Sequence, residues 1–322
     1  MRSILPYSRN ISFKGALEAA LPTVDKSAFK ASEEKAVQET LFNQNVATND
    51  CFFVAVLKSI MFSLNEYARK NNNPSYNAAS WLDKFVVTDK ENNAEICFPL
   101  SQNIPNKVKV SLSPEDKFVL SKGNAKIPFL EKAYGLLSKT IDKCRAKSHD
   151  FQESLNSGWS FLAIHDLTGL RSLRLTQSEG FTGQKELFKE YTGKLFHEFK
   201  EHPENLIITL DAKRSVPDFW YDYSHTFSLK KVVDDGLIVV DPLKTEEIKI
   251  SFDNFYKHFK AVNFARMQPE KMFNMIENAK NTTSKELDSH VYDPKASTNP
   301  IRDTNNYSVK NLVYFDVPEH KP

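Results

Sequence analysis

The sequence predicts an α+β fold, and three observations carry it. Apolar residues recur at helical spacing through most of the first 200 positions, and from "ENLIITLDA" onward the period drops towards two. A chain of 322 residues, 40% of them hydrophobic, is long enough for two domains or one large two-lobed one.

Residues 1–30 read as a loose leader with a short amphipathic start. Residues 31–170 read as a mainly helical part, built from "SEEKAVQETLF", a helix at Cys51, "SYNAASWLDKFV" and "IPFLEKAYGLLSKTIDKC". Within it, residues 92–117 are rich in Asn and Pro and read as an irregular insertion. Residues 171–268 read as a β-rich part, although "GQKELFKEYTGKLFHEFKEH" at its start is an amphipathic, charged helix. The strands are "ENLIITLDA", "HTFSLKKVV", "GLIVVDPL" and "EEIKISF", and the Asp234-Asp235-Gly236 turn makes the middle two a hairpin. "FDNFYKHFKAV" reads as helix. Residues 269–322 read as a polar C-terminal extension with one last strand-like piece, "VKNLVYFDV". A cleft is expected between the helical and β parts.

Composition excludes several classes. The net charge is +2, with basic and acidic residues interspersed, so no nucleic-acid footprint is present. Cys51, Cys97 and Cys144 are too few and too scattered for a disulfide framework, which points to reduced thiols. The first 21 residues lack a continuous apolar core, and no later segment reads as long enough to span a bilayer. The expectation is a soluble, cytoplasmic protein without a membrane partner, with secretion lacking a cleavable signal left open. Only Gly180 and Gly183, among nine glycines, fall close together, so no Gly-rich phosphate cradle exists. "HEFKEH" fails as a zinc helix, because five helical residues turn His202 about 140° away from His197. No metal and no cofactor is expected.

One stretch asks for chemistry. In "NQNVATNDCFFVAVLKSI", helix-capping residue types give way at Cys51 to an almost wholly apolar segment. A thiol at a helix N-terminus sits where unpaired N–H groups favour an anion, which lowers its pKa. The plainer reading is a buried, inert cysteine. A base is needed, and His225 stands apart from the other seven histidines, at the opening of a strand after the aromatic "SVPDFWYDYS". On the return strand an apolar run enters Asp241 before Pro242 stops it. A carboxylate there is costly unless paired, and His225 is the obvious partner. Centring the hairpin on Asp235 puts Asp241 opposite Leu229, so a bond to His225 must be diagonal or needs a bulge.

Cysteine, then histidine, then a nearby Asn or Asp is the order of papain-like proteases. The wording of the motifs resembles the calpain branch of that clan. "QNVATNDCFFVAVLKSI" resembles its cysteine helix, and "FLEKAYGLL" its Leu-Glu-Lys-Ala-Tyr helix. "SLNSGWSFLAIHDLTGL" resembles its Gly-rich segment, "HTFSLKKV" its histidine strand, and "ISFDNFYKHFKAV" its Ser-Phe ending. The resemblance covers roughly residues 40 to 265. It implies a two-lobed papain-like fold, with a helical lobe carrying the cysteine and an antiparallel β lobe carrying the histidine and aspartate. It also implies a thiol endopeptidase acting on a polypeptide substrate, with Cys51 as nucleophile, His225 as acid and base, and Asp241 orienting His225. The oxyanion amide falls on Gln44, or on Asn45 at the family's spacing. Ser224 stands where the family has Gly, and Asp241-Pro242-Leu243-Lys244 replaces Asn-Pro-Trp-Gly. These departures keep a second reading in play, a catalytically silent module that binds polypeptides in the same cleft. Calpains are Ca²⁺-switched through acidic loops, but here "PLKTEEIK" alone fills the corresponding interval, which implies hydrolysis without calcium control.

Overall fold

The computed structural model describes residues 26–99, 107–141, 148, 150–156, 158–177, 184–213, 225–244, 246–281 and 286–288. The first part is helical where helical periods were expected: α1 (Lys26–Glu39), α2 (Cys51–Lys70) and α3 (Ala78–Phe85). The Asn77 side chain accepts the N–H of Ser80 and caps α3. The stretch expected to be irregular then supplies strands, β1 (Val86–Thr88), β2 (Asn93–Cys97) and β3 (Lys107–Ser111). Ala94 and Ile96, and Val108 and Val110, are buried alternately, a period of two that the flanking Asn and Pro residues conceal in the sequence. There follow α4 (Asp116–Val119), α5 (Ile127–Ile141), α6 (Phe151–Leu155) and α7 (Ser160–Thr168), the last closed by Gly169 at φ 66°.

The second part runs β4 (Ser172–Thr176), α8 (Gln184–Glu201), β5 (Leu206–Ala212), β6 (Thr226–Val233), β7 (Gly236–Val240), β8 (Glu247–Ser251), α9 (Phe252–His258) and β9 (Phe259–Arg266). The segment expected to stay helical to Val262 thus divides at Phe259. Val262 and Phe264 face one hydrophobic cluster and Ala265 the other, which only a strand allows. All six strands form one antiparallel sheet in the order β4-β9-β5-β6-β7-β8. The chain beyond residue 268 is not uniformly polar, because α10 (Pro269–Asn281) buries Met272, Phe273, Ile276 and Ala279 as one helical stripe. β10 (Glu286–Asp288) then pairs in parallel with β3, completing the sheet β1-β2-β3-β10. The leader to residue 25, Cys144, the aromatic segment 215–224 and "VKNLVYFDV" lie outside the described residues.

The fold is therefore α+β with two mainly antiparallel sheets. The core divides into two clusters. One gathers α2, α3, α5, α7 and α10 around Phe53, Trp81 and Leu130, and the other packs α8 and α9 on the larger sheet through Phe196, Phe227 and Phe255. β5 is buried along its whole length: Ile208 and Leu210 face α8 while Ile207 joins the α2 cluster. Among the described residues α2 is the one helix long and apolar enough to cross a bilayer, and most of it lies inside the protein. Three hydroxyls lock α2 to the sheet. Ser59 and Ser63 donate to the carbonyls of Ile208 and Leu206 at 2.5 and 2.6 Å, and Ser228 donates to that of Ala55 at 2.6 Å. These bonds set how far along the sheet the N-terminus of α2 sits.

Candidate active site

Cys51 opens α2 at that seam. Asp50 is the N-cap residue, and its carbonyl accepts from Phe53 and Val54 at 2.8 and 3.2 Å. The preceding polar side chains do not cap the helix as their types suggest. Asp50 makes no side-chain capping bond, and the Thr48 hydroxyl donates to the Val119 carbonyl at 2.6 Å. Cys51 is only 6% exposed. Burial pushes its thiol up to about 12; the Thr226 N–H on the sulfur works the other way, while the charges of Asp50 and Asp211 push it further up. The expected lowering by the helix end is thus outweighed, because desolvating a thiolate costs more than one helix terminus returns.

His225 and Asp241 meet as the sequence required. His225 Nε2 and Asp241 Oδ1 are 2.9 Å apart, and both residues are buried. Two shifts of register make this possible. The turn is two residues, pairing Val233 with Gly236, and an irregularity between Leu229 and Lys231 moves the ladder one step, to Leu229 with Val239. Continuing that register places Asp241 opposite Phe227, so the bond to His225 runs diagonally. Asp241 Oδ1 also accepts the Leu243 N–H at 2.9 Å. The His225 ring stands edge-on to Phe227, with centroids 4.8 Å apart. Thr226, whose N–H reaches the Cys51 sulfur, directly follows His225.

Gln44 and Asn45 separate clearly. The Gln44 backbone N–H donates to the Pro242 carbonyl at 2.8 Å, tying its segment to the turn after Asp241. Its side chain is buried, and Nε2 donates to the Thr48 carbonyl at 2.6 Å. Asn45 is turned away: Nδ2 donates to the Phe118 and Leu120 carbonyls at 2.5 and 3.4 Å, and Oδ1 accepts the Ala47 N–H at 3.0 Å. It braces a loop.

The structure adds polar groups that sequence reasoning passed over. Glu131 on α5 is fully buried and accepts from the Ser121 N–H and hydroxyl at 2.8 and 2.5 Å. It also takes a hydrogen bond from Asp50, whose carboxyl is held well above the usual range by burial and by the charge of Glu131. Asp211 gathers a second group. Its Oδ1 accepts from Thr226 Oγ1, Asn263 Nδ2 and Ser160 Oγ at 3.0, 3.1 and 3.4 Å. Its Oδ2 accepts from Arg174 Nη1 at 2.5 Å. The signal for Glu131 was a lone acid among apolar residues in "IPFLEKAYGLL". Lys58 is the corresponding lone base in the Cys51 helix, and it too is buried.

Among the described residues no group of three or more His, Cys, Asp or Glu side chains could hold a metal ion. No model of a known protein family matches the chain, and a search of curated proteins gives no match either.

Proposed function

We propose that the chain is a calpain-like thiol endopeptidase of papain-like architecture, with Cys51, His225 and Asp241 as its catalytic residues. One observation carries the reading. The 2.9 Å bond between His225 and Asp241 lies at the opening of β6, the strand whose Ser228 hydroxyl donates to the Ala55 carbonyl, one turn into the helix that Cys51 opens. Two hydrophobic clusters, with the N-terminus of α2 packed against β6 at their boundary, support the two-lobed arrangement. Asp241 engages Nε2, so the ring nitrogen that would meet the thiol is Nδ1. Because the resting thiol is held protonated, attack and proton transfer go together. Sulfur bonds to the peptide carbonyl carbon as the thiol proton passes to Nδ1, and the oxyanion meets the Cys51 N–H and the Gln44 amide. The imidazolium then gives its proton to the leaving amine, and water, deprotonated by the same nitrogen, releases the acid.

A second reading, a silent polypeptide-binding module, is favoured by the burial of Cys51 and its raised thiol. Labelling with an epoxide thiol-protease probe, followed by peptide mass mapping, separates the two. The protease reading expects the adduct on Cys51 and its loss in His225→Ala. No adduct on Cys51, or labelling indifferent to His225, favours the silent module.

A further inference from the structure

Between Gln44 and Cys51 the chain turns once, where the Thr48 N–H donates to the Asn45 carbonyl at 3.1 Å. Two side chains of this loop serve one row of acceptors. The short helix α4 ends at Val119, and its last carbonyls have no partner within the helix. Asn45 Nδ2 donates to the carbonyls of Phe118 and Leu120, and the Thr48 hydroxyl donates at 2.6 Å to that of Val119 between them. Thr48 is 1% exposed, so its hydroxyl has no bulk water to turn to. The Thr48 carbonyl in turn accepts Gln44 Nε2 at 2.6 Å, and Gln44 is itself buried. Only one orientation of that amide is compatible, because the opposite one would set Oε1 against a second oxygen. The carbonyl therefore fixes which end of the amide donates and the plane in which its second hydrogen lies. The backbone of Gln44 is held from the other side, by the Pro242 carbonyl on its N–H at 2.8 Å and by the bridge between Asn43 and Lys122 just before it.

We propose that Thr48 is a positioning residue for the Gln44 amide: anchored through its hydroxyl to the end of α4, it presents the carbonyl that aims the oxyanion donor. The inference rests on the reading of Gln44 as that donor. One amide hydrogen is engaged by Thr48, which stops the group from rotating and leaves the second hydrogen as the donor to the oxyanion. Asn45, which the family's spacing would make the donor, instead takes part in the anchor. A donor needed only when charge develops on the carbonyl oxygen acts on kcat rather than on KM, and so does the residue that aims it.

Thr48→Val keeps the shape and removes the hydroxyl, whereas Thr48→Ser keeps the hydroxyl. On an unfolded protein substrate Thr48→Val should lose about tenfold in kcat with KM unchanged, and Thr48→Ser should regain most of that loss. In a Gln44→Ala background the Val substitution should cost nothing further, because the amide it would loosen is gone. A loss of equal size in both backgrounds, or one confined to KM, would overturn the assignment. A second measurement needs no turnover. In protein carrying ¹⁵N-labelled glutamine, the Gln44 side-chain resonances are assigned by their loss in Gln44→Ala. Their hydrogens should exchange with water about tenfold faster in Thr48→Val than in the parent, with Asn45→Ala as the variant to use if Thr48→Val does not fold. Exchange unchanged by the substitution would overturn the positioning whatever the activity. Faster exchange in a chain that hydrolyses nothing would remove the protease reading alone and leave the positioning of the amide in place.

Discussion

Asp50 and Glu131, from the N-cap of α2 and the middle of α5, are both fully buried and share a hydrogen bond beside Cys51. Burial and the charge of Glu131 favour the protonated form of Asp50, which then donates to Glu131.

Stability should therefore depend on that proton. The Asp50 carboxyl is raised above its ordinary 3.8, so its contribution is complete below pH 3.8 and is lost as pH rises towards the folded value. Asp50→Asn donates to Glu131 without a titrating proton. Urea unfolding between pH 5 and 8 should then show a shallower decline in the variant, by up to about 1.4 kcal/mol per pH unit, the slope of one proton. Equal slopes would show that Asp50 is ionised in the folded protein.

Arg174 holds the other buried carboxylate near the thiol, and its Nη1 bonds Asp211 at 2.5 Å and Asn263 Oδ1 at 2.8 Å. Arg174→Gln leaves Asp211 buried without its cation and should cost about 3–5 kcal/mol. Adding Asp211→Asn should recover most of that loss in urea unfolding, because the uncompensated charge is gone. A single variant as stable as the parent would mean that Asn263, Thr226 and Ser160 alone satisfy Asp211.

At Asp241 the bonds from His225 and from the Leu243 N–H both fall on Oδ1. An amide oxygen can occupy that position, so Asp241→Asn should keep hydrolysis within roughly tenfold, whereas Asp241→Ala should lose about a hundredfold or more. Steady-state rates on an unfolded protein substrate decide this. A fully active Ala variant would remove Asp241 from the mechanism.

Calcium should not matter. In the short interval after Asp241, Glu247 is paired with Lys230 at 2.5 Å, and Lys249 with Asp235 at 2.7 Å. Carboxylates already engaged by lysines fall short of the six to eight oxygen ligands Ca²⁺ takes. Hydrolysis should proceed equally in chelator and in millimolar Ca²⁺, and clear activation that is lost on substituting Glu246 and Glu247 would restore a calcium-switched mechanism.

The α+β class, the Cys51 helix and the Asp234–Asp235 hairpin were legible in the sequence because each rests on local periodicity and turn chemistry. The pairing of His225 with Asp241 was legible too, since an acid at the end of an apolar strand demands a partner across the hairpin. β9 and α10 were not, because short mixed runs such as "FKAVNFAR" acquire their state from the neighbours they pack against. The same limit governs the electrostatics. Sequence placed a thiol at a helix N-terminus and so suggested a lowered pKa, but only the tertiary structure decided how deeply it is buried and which carboxylates face it. Desolvation depends on what surrounds a group from every side, and residues as distant in the chain as Thr226 and Asp211 act on this thiol.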